Sequence, residues 1–409
     1  MDSLTKIISH AYKNSLLYQQ KKPEWYEESR EPDITEFPII QKQDLFHNVP
    51  AEIMDYVMGH IPEEEVVQMS TSGSTGICLP VLWHKNDYRR SMLSLWMLRK
   101  KYYHISPNDK LCYFYTIRES GDSDLAYEYS NQTLGFSKCS LDEKRIYKIY
   151  QMILDFGPKW MLLQPSMAEL LLETAQKHGL PPVNELEYIE FSGEMLFEEL
   201  RERVKQFFGC QISNQYGSNE LNSIALECPH GNMHCISSNV YVEIADKEGQ
   251  VIGDDSEGEI IVTSLNNRIM PFVRYRIGDW GRIRHNKKCP CGNRNPILEL
   301  TMGRSNDSIL TEQGRKINPY IFVHAVEAIN GSYDDVIKQF KVIQRDYNSF
   351  LVLLRIDDNS VKEDIEELFV KYILEPDLKQ AEYKFVYSDS FINEDGRKLR
   401  YFMNDMEKE

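Results

Sequence analysis

The sequence has no apolar run near the roughly 18 residues that a membrane span requires. Basic charge is also short. Lys and Arg number 47 against 63 Asp and Glu, a formal net charge of −16 over 409 residues. That balance argues against a general nucleic-acid binder, which needs a basic face, and against docking on an anionic membrane. The start, Met1-Asp2-Ser3-Leu4-Thr5-Lys6, lacks a basic stretch ahead of an apolar core, so no secretory leader is expected and a cytoplasmic location is. Cysteine is sparse, eight in all; in that compartment free thiols or metal ligands are expected rather than disulfides. Internal repeats and low-complexity tracts are absent too.

What is present centres on Ser70-Thr71-Ser72-Gly73-Ser74-Thr75-Gly76, seven consecutive Ser, Thr and Gly residues. Glycine lets a backbone turn sharply and come close to a ligand, and hydroxyls and free N–H groups donate to phosphate oxygens. The stretch is not the P-loop of nucleoside triphosphatases, which needs Lys and then Ser/Thr after the last Gly; Ile77 and Cys78 stand there. Extended apolar runs at 65–69 and 79–83 flank it, so it reads as a loop between two strands and not as a linker.

The length suggests two or three domains and a large core. Residues 4–18 carry apolar positions at helical spacing, and 21–50 are irregular in pattern, followed by a short apolar stretch at 53–58. Asn86 is placed to cap a helix through Tyr102 whose Arg89, Arg90, Arg99, Lys100 and Lys101 read as a solvated face. Strands at 111–116, 160–164, 186–191 and 210–214 alternate with helices at 141–156, 167–178 and from 195 to 208. That alternation predicts βαβ units and a largely parallel sheet, with ligands beyond the carboxyl ends of its strands. Ser192-Gly193-Glu194 and Gln215-Tyr216-Gly217-Ser218-Asn219-Glu220 fall at such ends. From about 238 the pattern turns antiparallel, with strands at 240–244, 258–263 and 273–283. After Gly303 come a helix at 321–329, a hairpin at 340–356, a helix at 361–372, a strand at 383–387 and a polar tail. The expected fold is α/β: a large N-terminal domain, 1–303, with parallel βα units and a β-rich subregion at about 225–300, and a small α+β domain, 304–409.

Two Cys/His clusters, Cys228-Pro229-His230-Gly231-Asn232-Met233-His234-Cys235 and Cys289-Pro290-Cys291, look like two knuckles around one Zn²⁺, which prefers four S/N ligands. The first choice of ligands is Cys228, His234, Cys289 and Cys291, with His230 and Cys235 as substitutes. A closed set of four would be structural. Cys78, Cys112, Cys139 and Cys210 are unclustered and read as core. Trp83, Tyr113, Tyr115, Tyr127 and Tyr129 flank strands that could line a pocket for an aromatic or other small acid, with core packing the better expectation for any single one of them.

Four further stretches follow in a fixed order: Tyr216-Gly217-Ser218-Asn219-Glu220, Arg274-Tyr275-Arg276-Ile277-Gly278-Asp279, Gly303-Arg304-Ser305-Asn306-Asp307 and Asp395-Gly396-Arg397-Lys398. With the loop at 70–76, they resemble the adenylate-forming superfamily, and within it most closely the phenylacetate-CoA ligase-like enzymes. The resemblance implies that Ser72, Gly73, Ser74, Thr75 and Gly76 hold the ATP phosphates, Thr75 with a catalytic share. It places the Tyr216-Gly217 pair at adenine, Glu220 on Mg²⁺, Asp279 on the ribose and Arg304 near ribose or phosphate. Ser192, Gly193 and Glu194 join the nucleotide site, and Arg315 is a further candidate contact. Residues 304–307 would be a hinge, with Asn306 where Asp is usual, and Lys398 the catalytic lysine, with Arg397 as the adjacent alternative. Ile77 replaces the Lys usual after the loop.

The implied activity is ATP-dependent activation of a small carboxylic acid through an acyl-adenylate, then transfer to a thiol of CoA or of a carrier protein's phosphopantetheine. A homodimer is compatible with it. Two other readings stand beside it: an amide- or nucleotidyl-forming enzyme resembling deazaflavin-coenzyme adenylating synthetases, and a catalytically silent nucleotide binder.

Overall fold

The structure is a computed structural model. It describes residues 3–24, 26, 33–42, 44–45, 61–70, 79–115, 127–137, 143–194, 196, 198–246, 248–301, 309–317, 319–333, 336–373, 375–388 and 401–406. The chain begins with α1 (Ser3–Asn14), α2 (Leu16–Gln20), β1 (Val66–Ser70), β2 (Pro80–His84) and α3 (Lys85–Tyr103). It continues through β3 (Leu111–Tyr115), β4 (Tyr127–Tyr129), β5 (Thr133–Ser137), α4 (Glu143–Phe156), β6 (Trp160–Leu163), α5 (Pro165–His178), β7 (Tyr188–Ser192) and α6 (Glu198–Phe208). The β-rich stretch comprises β8 (Gln211–Ser218), β9 (Asn222–Glu227), β10 (Met233–Cys235), β11 (Val240–Ala245), β12 (Gly258–Ser264), β13 (Tyr275–Arg284) and β14 (Ile297–Leu300). The remainder is β15 (Ile309–Leu310), β16 (Lys316–Ile317), α7 (Tyr320–Ser332), β17 (Ile337–Asp346), β18 (Ser349–Ile356), α8 (Lys362–Tyr372), α9 (Pro376–Lys379), β19 (Glu382–Tyr387) and β20 (Phe402–Asn404).

The described residues form two compact units. One draws on segments 1–71, 79–104 and 213–303, the other on 105–212 and 304–409. In the first, β1 and β2 form an antiparallel hairpin in which Val66 faces His84 and Met69 faces Val81. Its larger sheet runs β11-β12-β13-β14-β10-β9-β8 with antiparallel neighbours. Apolar residues from α1, the 34–45 segment, β2 and this sheet share one core, which includes Ile8, Phe37, Trp83, Ile224, Val262 and Phe272.

The second unit holds a sheet ordered β7-β6-β3-β5-β4, parallel except for the edge pair β4–β5. α4 offers Ile146, Ile149, Tyr150 and Ile153 at helical spacing to that sheet's core. α5 starts on Pro165, whose missing N–H is no loss at a first helical position, and stops at Gly179, which takes the left-handed conformation (φ 62°). A four-stranded sheet, β19-β18-β17-β20, pairs its central strands antiparallel and its outer strands parallel; its own core includes Phe322, Phe340, Phe350 and Phe369.

Four expectations need correction. The 4–18 helix breaks at Ser15, whose backbone is extended. α3 is capped by His84, whose ring nitrogen accepts from the Asn86 N–H at 3.1 Å, so the helix starts before Asn86. β8 does not end at 214; it runs to Ser218 and pairs antiparallel with β9, because Gly217 permits a bulge there. The polar tail contains β20, in which Phe402 is buried beside Val342. The apolar stretch at 53–58 lies outside the described residues.

Candidate active site

The Tyr-Gly-x-x-Glu stretch forms the β8–β9 hairpin. A Cβ on Gly217 would stand 2.4 Å from the Asn222 carbonyl oxygen, so only glycine lets the two strands close here. Asn222 completes the turn with φ 58°, and the buried Trp83 donates its Nε1–H to the Asn219 carbonyl at 3.0 Å. Trp83 is therefore part of the core beneath the turn and not a pocket wall. The turn delivers Glu220, 5% exposed, to Tyr275, whose hydroxyl donates to Glu220 Oε1 at 3.1 Å; Lys42 Nζ lies 3.7 Å from the same oxygen.

The second motif is set by a break in β13. Pairing with β12 is lost between Arg276 and Trp280, and Gly278 takes φ 96°. This bulge re-aims Asp279, whose Oδ2 accepts from the Tyr216 hydroxyl at 2.8 Å. Burial, reinforced by the neighbouring carboxylates, pushes both Tyr216 and Tyr275 well above the usual phenol range. Both phenols stay protonated and act as donors, so two tyrosines aim two carboxylates. Arg274 of the same motif has a different task. Its guanidinium, 3% exposed, meets Glu243 at 3.2 Å and donates to the Thr35 and Phe37 carbonyls, fixing the 33–37 segment.

Cys228, His234, Cys289 and Cys291 also converge, their ligand atoms all within 4.8 Å of one another. The Cys228 and Cys289 sulfurs are 3.7 Å apart, near the roughly 3.8 Å expected between two thiolates of a tetrahedral zinc site and far from a disulfide. His234 Nδ1 lies 3.1 Å from the Asn295 carbonyl, which leaves Nε2, 3.3 Å from Cys291 Sγ, as the ligating nitrogen. Burial holds His234 in its neutral, ligating form and pushes the Cys228 thiol up to about 12. Of the substitutes, His230 is exposed and Cys235 faces the core, since adjacent residues of a strand point opposite ways.

In the second unit, Ser192-Gly193-Glu194 closes β7. Gly193 takes φ 87°, and Glu194 turns inward, where His324 Nε2 of α7 meets its Oε1 at 2.6 Å. His324 and Lys42 are functional candidates the sequence did not flag, and neither stands in a recognisable pattern. Arg315 is held by Glu375 and by Asp377 at 3.3 Å. Tyr127 and Tyr129 are exposed on the edge strand β4. Ser72, Gly73, Ser74, Thr75, Gly76, Arg304, residues 305–307, Arg397 and Lys398 lie outside the described residues.

Comparison with known proteins follows the same line. A family model described as AMP-binding enzyme matches residues 21–268. The chain is 28% identical over 328 residues to a phenylacetate-coenzyme A ligase of Pseudomonas putida, spanning 76% of this chain and 71% of that one. It is 24% identical over 355 residues to the phenylacetate-coenzyme A ligase of Thermus thermophilus, spanning 83% and 74%. In fold it is similar to 2-hydroxyisobutyryl-CoA ligase crystallised with 2-HIB-AMP and CoA, with a TM-score of 0.63 at 18% identity over 99% of this chain and 88% of that one.

Proposed function

Because the chain belongs to the AMP-binding enzyme family, we propose that it is an AMP-forming acid–thiol ligase. A small carboxylic acid attacks the α-phosphate of ATP, pyrophosphate leaves, and the thiol of coenzyme A then displaces AMP from the acyl-adenylate. The family match over 21–268 carries this reading. The curated ligases it resembles support the thiol step, and the Tyr216–Asp279 and Tyr275–Glu220 pairs support the nucleotide step.

Chemistry of this kind is mostly positioning and charge neutralisation. In this reading Asp279, oriented by Tyr216, accepts hydrogen bonds from the ribose hydroxyls, and an aromatic ring at 216 sits by adenine. Glu220 holds Mg²⁺, which when bound would neutralise phosphate charge; both contacts named above fall on its Oε1, which leaves Oε2 for the cation. Residues 72–76, Thr75 included, hold the phosphates, with Ser192, Gly193 and Arg304 beside the nucleotide, while Glu194 orients the turn through His324. Lys398 stabilises charge on the carboxylate and α-phosphate. Residues 304–307 are the pivot between a 1–303 and a 304–409 domain. Cys228, His234, Cys289 and Cys291 hold a structural Zn²⁺, a full set of four that leaves no open position. The same reading takes an aryl or other small acid, leaves a carrier-protein thiol as a second acceptor class and a homodimer as the assembly, and places the enzyme in the cytoplasm. Among the described residues no helix is long and apolar enough to cross a membrane.

The test is acid-dependent ATP–pyrophosphate exchange over aryl and short aliphatic acids, followed by thioester formation with CoA. Exchange is expected with at least one acid, and Lys398→Ala should reduce it by about a hundredfold or more while ATP binding changes little. An unaltered Lys398→Ala rate would move the role to Arg397, and no exchange with any acid, ATP still bound, would remove the ligase reading.

A further inference from the structure

Resting on the zinc reading above, we propose that Tyr102, on the last turn of α3, is a positioning residue for the metal set, its hydroxyl donating to the Cys291 sulfur and fixing that sulfur as a ligand. The two knuckles first supply donors of their own. In one, the Gly231 N–H donates to the Cys228 carbonyl and the Cys228 N–H to the Asn232 carbonyl, both at 2.9 Å. In the other, the Gly292 N–H donates to the Cys289 carbonyl at 3.1 Å. Gly231 and Gly292 take φ 72° and 76°, the left-handed region that glycine enters without strain. Turned this way, the knuckles aim N–H groups at their own sulfurs. The backbone of His230 and of Asn232 bonds the Cys228 sulfur. The Asn232 side-chain amide reaches Cys289 Sγ at 3.5 Å, and the Asn293 N–H reaches Cys291 Sγ at 3.4 Å.

Tyr102 comes from outside the knuckles, 189 positions from Cys291 in the chain. It is buried, and its hydroxyl lies 3.6 Å from Cys291 Sγ. The next residue, Tyr103, points about 100° further round the helix and donates to the Glu227 carbonyl at 2.6 Å, one residue before Cys228. Two consecutive residues of α3 therefore hold one knuckle each. The Tyr102 hydroxyl is itself oriented, because the Asn293 side chain also hydrogen-bonds it. Asn293 Oδ1 accepts from the Asn295 N–H at 3.0 Å, which leaves the amide NH₂ to face the phenol oxygen. A phenol has one proton; with its oxygen accepting from Asn293, that proton is left for the sulfur. The Asn295 carbonyl in turn meets His234 Nδ1 at 3.1 Å. One hydrogen-bonded run, Tyr102–Asn293–Asn295, thus reaches two of the four ligands.

The chemistry of the set gives this hydroxyl a purpose. Three thiolates and a neutral imidazole on Zn²⁺ leave a surplus of negative charge on the sulfurs, and Cys228 and His234 are buried. Donors to the sulfurs offset that charge where water cannot. A thiol is a weak acceptor and a thiolate a strong one, so a buried phenol aimed at sulfur is well paired when the sulfur is a metal-bound thiolate. Partners of this kind orient the ligand, and their loss costs about 10–100-fold in metal affinity.

The experiment reads metal binding in the full chain. Zinc affinity is measured by competition with a chromophoric chelator. Co²⁺ is then loaded in place of zinc, so that the sulfur-to-cobalt charge-transfer band reports on the thiolates. Tyr102→Phe keeps the ring and should weaken zinc binding by about tenfold. It should also move the band to lower energy, since a sulfur that loses a donor gives up its electrons more readily. Tyr103→Phe is the contrast: its hydroxyl meets a carbonyl and not a sulfur, so the band should stay in place whatever happens to stability. Unchanged affinity or an unmoved band in Tyr102→Phe, or the same band shift in both variants, overturns the inference and leaves the zinc reading standing. Wild-type protein that takes up neither metal overturns both. Should Tyr102→Phe fail to fold, Asn293→Asp decides. It keeps the acceptor for Asn295 and draws the Tyr102 proton away from Cys291, so the band should move the same way, and an unmoved band overturns the inference.

Discussion

In the first unit the buried and half-buried carboxylates that matter are all answered. Asp279 has Tyr216, Glu220 has Tyr275 and Lys42, and Glu243 has Arg274. In the second unit Tyr115 Oη and Gln164 Oε1, at two different strand ends, are buried with no hydrogen-bond partner among the described residues. The difference separates two ways of building a site. Where the chain supplies its own partners, geometry is fixed before a ligand arrives, as suits the nucleotide-positioning role proposed for Asp279 and Glu220. Where buried polar atoms stay unpaired, the chain does not by itself fix what they face.

The self-satisfied side of this contrast breaks most severely at the Cys/His cluster. If a structural metal closes that set, Cys289→Ser should lower the thermal midpoint by about 10 °C or more and reduce bound zinc from about one equivalent to a small fraction, because metal affinity here is folding free energy. Elemental analysis beside differential scanning calorimetry checks both. Wild-type protein purified without zinc, and equally stable after chelation, would show that the four side chains gather without a metal.

Next in size is Arg274. Its ion pair is buried on both sides, 3% and 2% exposed, and removing one partner strands the other charge. Arg274→Ala should cost about 3–5 kcal/mol in chemical denaturation at neutral pH. The deficit should depend on pH in a defined sense. Burial already raises the Glu243 carboxyl above its usual range, with Arg274 opposing the rise. Without Arg274 the folded pKa lies further above the unfolded one, so the folded state binds more protons and loses stability as pH rises through that window. The variant should therefore lie closest to wild type near pH 5 and furthest at pH 7 and above. A pH-independent deficit would mean that lost packing, and not the stranded carboxylate, is what matters.

Much of this contrast was legible in the sequence, but unevenly. Spacing and residue type located the four metal-ligand candidates, because ligand chemistry leaves few alternatives. Alternating patterns located the parallel strands and the small α+β region. The same reasoning placed Tyr216 and Asp279 in separate roles and could not reveal that one donates to the other, since that contact depends on a bulge at Gly278 and one at Gly217. Arg274 sat inside a nucleotide motif, yet its guanidinium serves Glu243 and the 33–37 segment, a partnership across 31 residues on one side and more than 230 on the other. Lys42 and His324 were invisible for the same reason: each acts through a carboxylate distant in sequence. β20 was missed because three residues in a polar tail carry too little periodicity to register.

The smallest expected effect gives the sharpest comparison. Tyr216→Phe keeps the ring and removes only the hydroxyl that donates to Asp279 at 2.8 Å. Loss of one such bond should weaken ATP binding by about 1–2 kcal/mol, with global stability changing less than that, since Asp279 is partly exposed and water can replace the donor. Asp279→Ala should weaken nucleotide binding further, because the ribose partner itself is gone. The double variant should then bind no worse than Asp279→Ala, since a tyrosine that acts by orienting a carboxylate has nothing left to orient. Calorimetric titration of ATP into the four proteins closes this cycle. Additive losses would show instead that the Tyr216 hydroxyl touches the nucleotide directly.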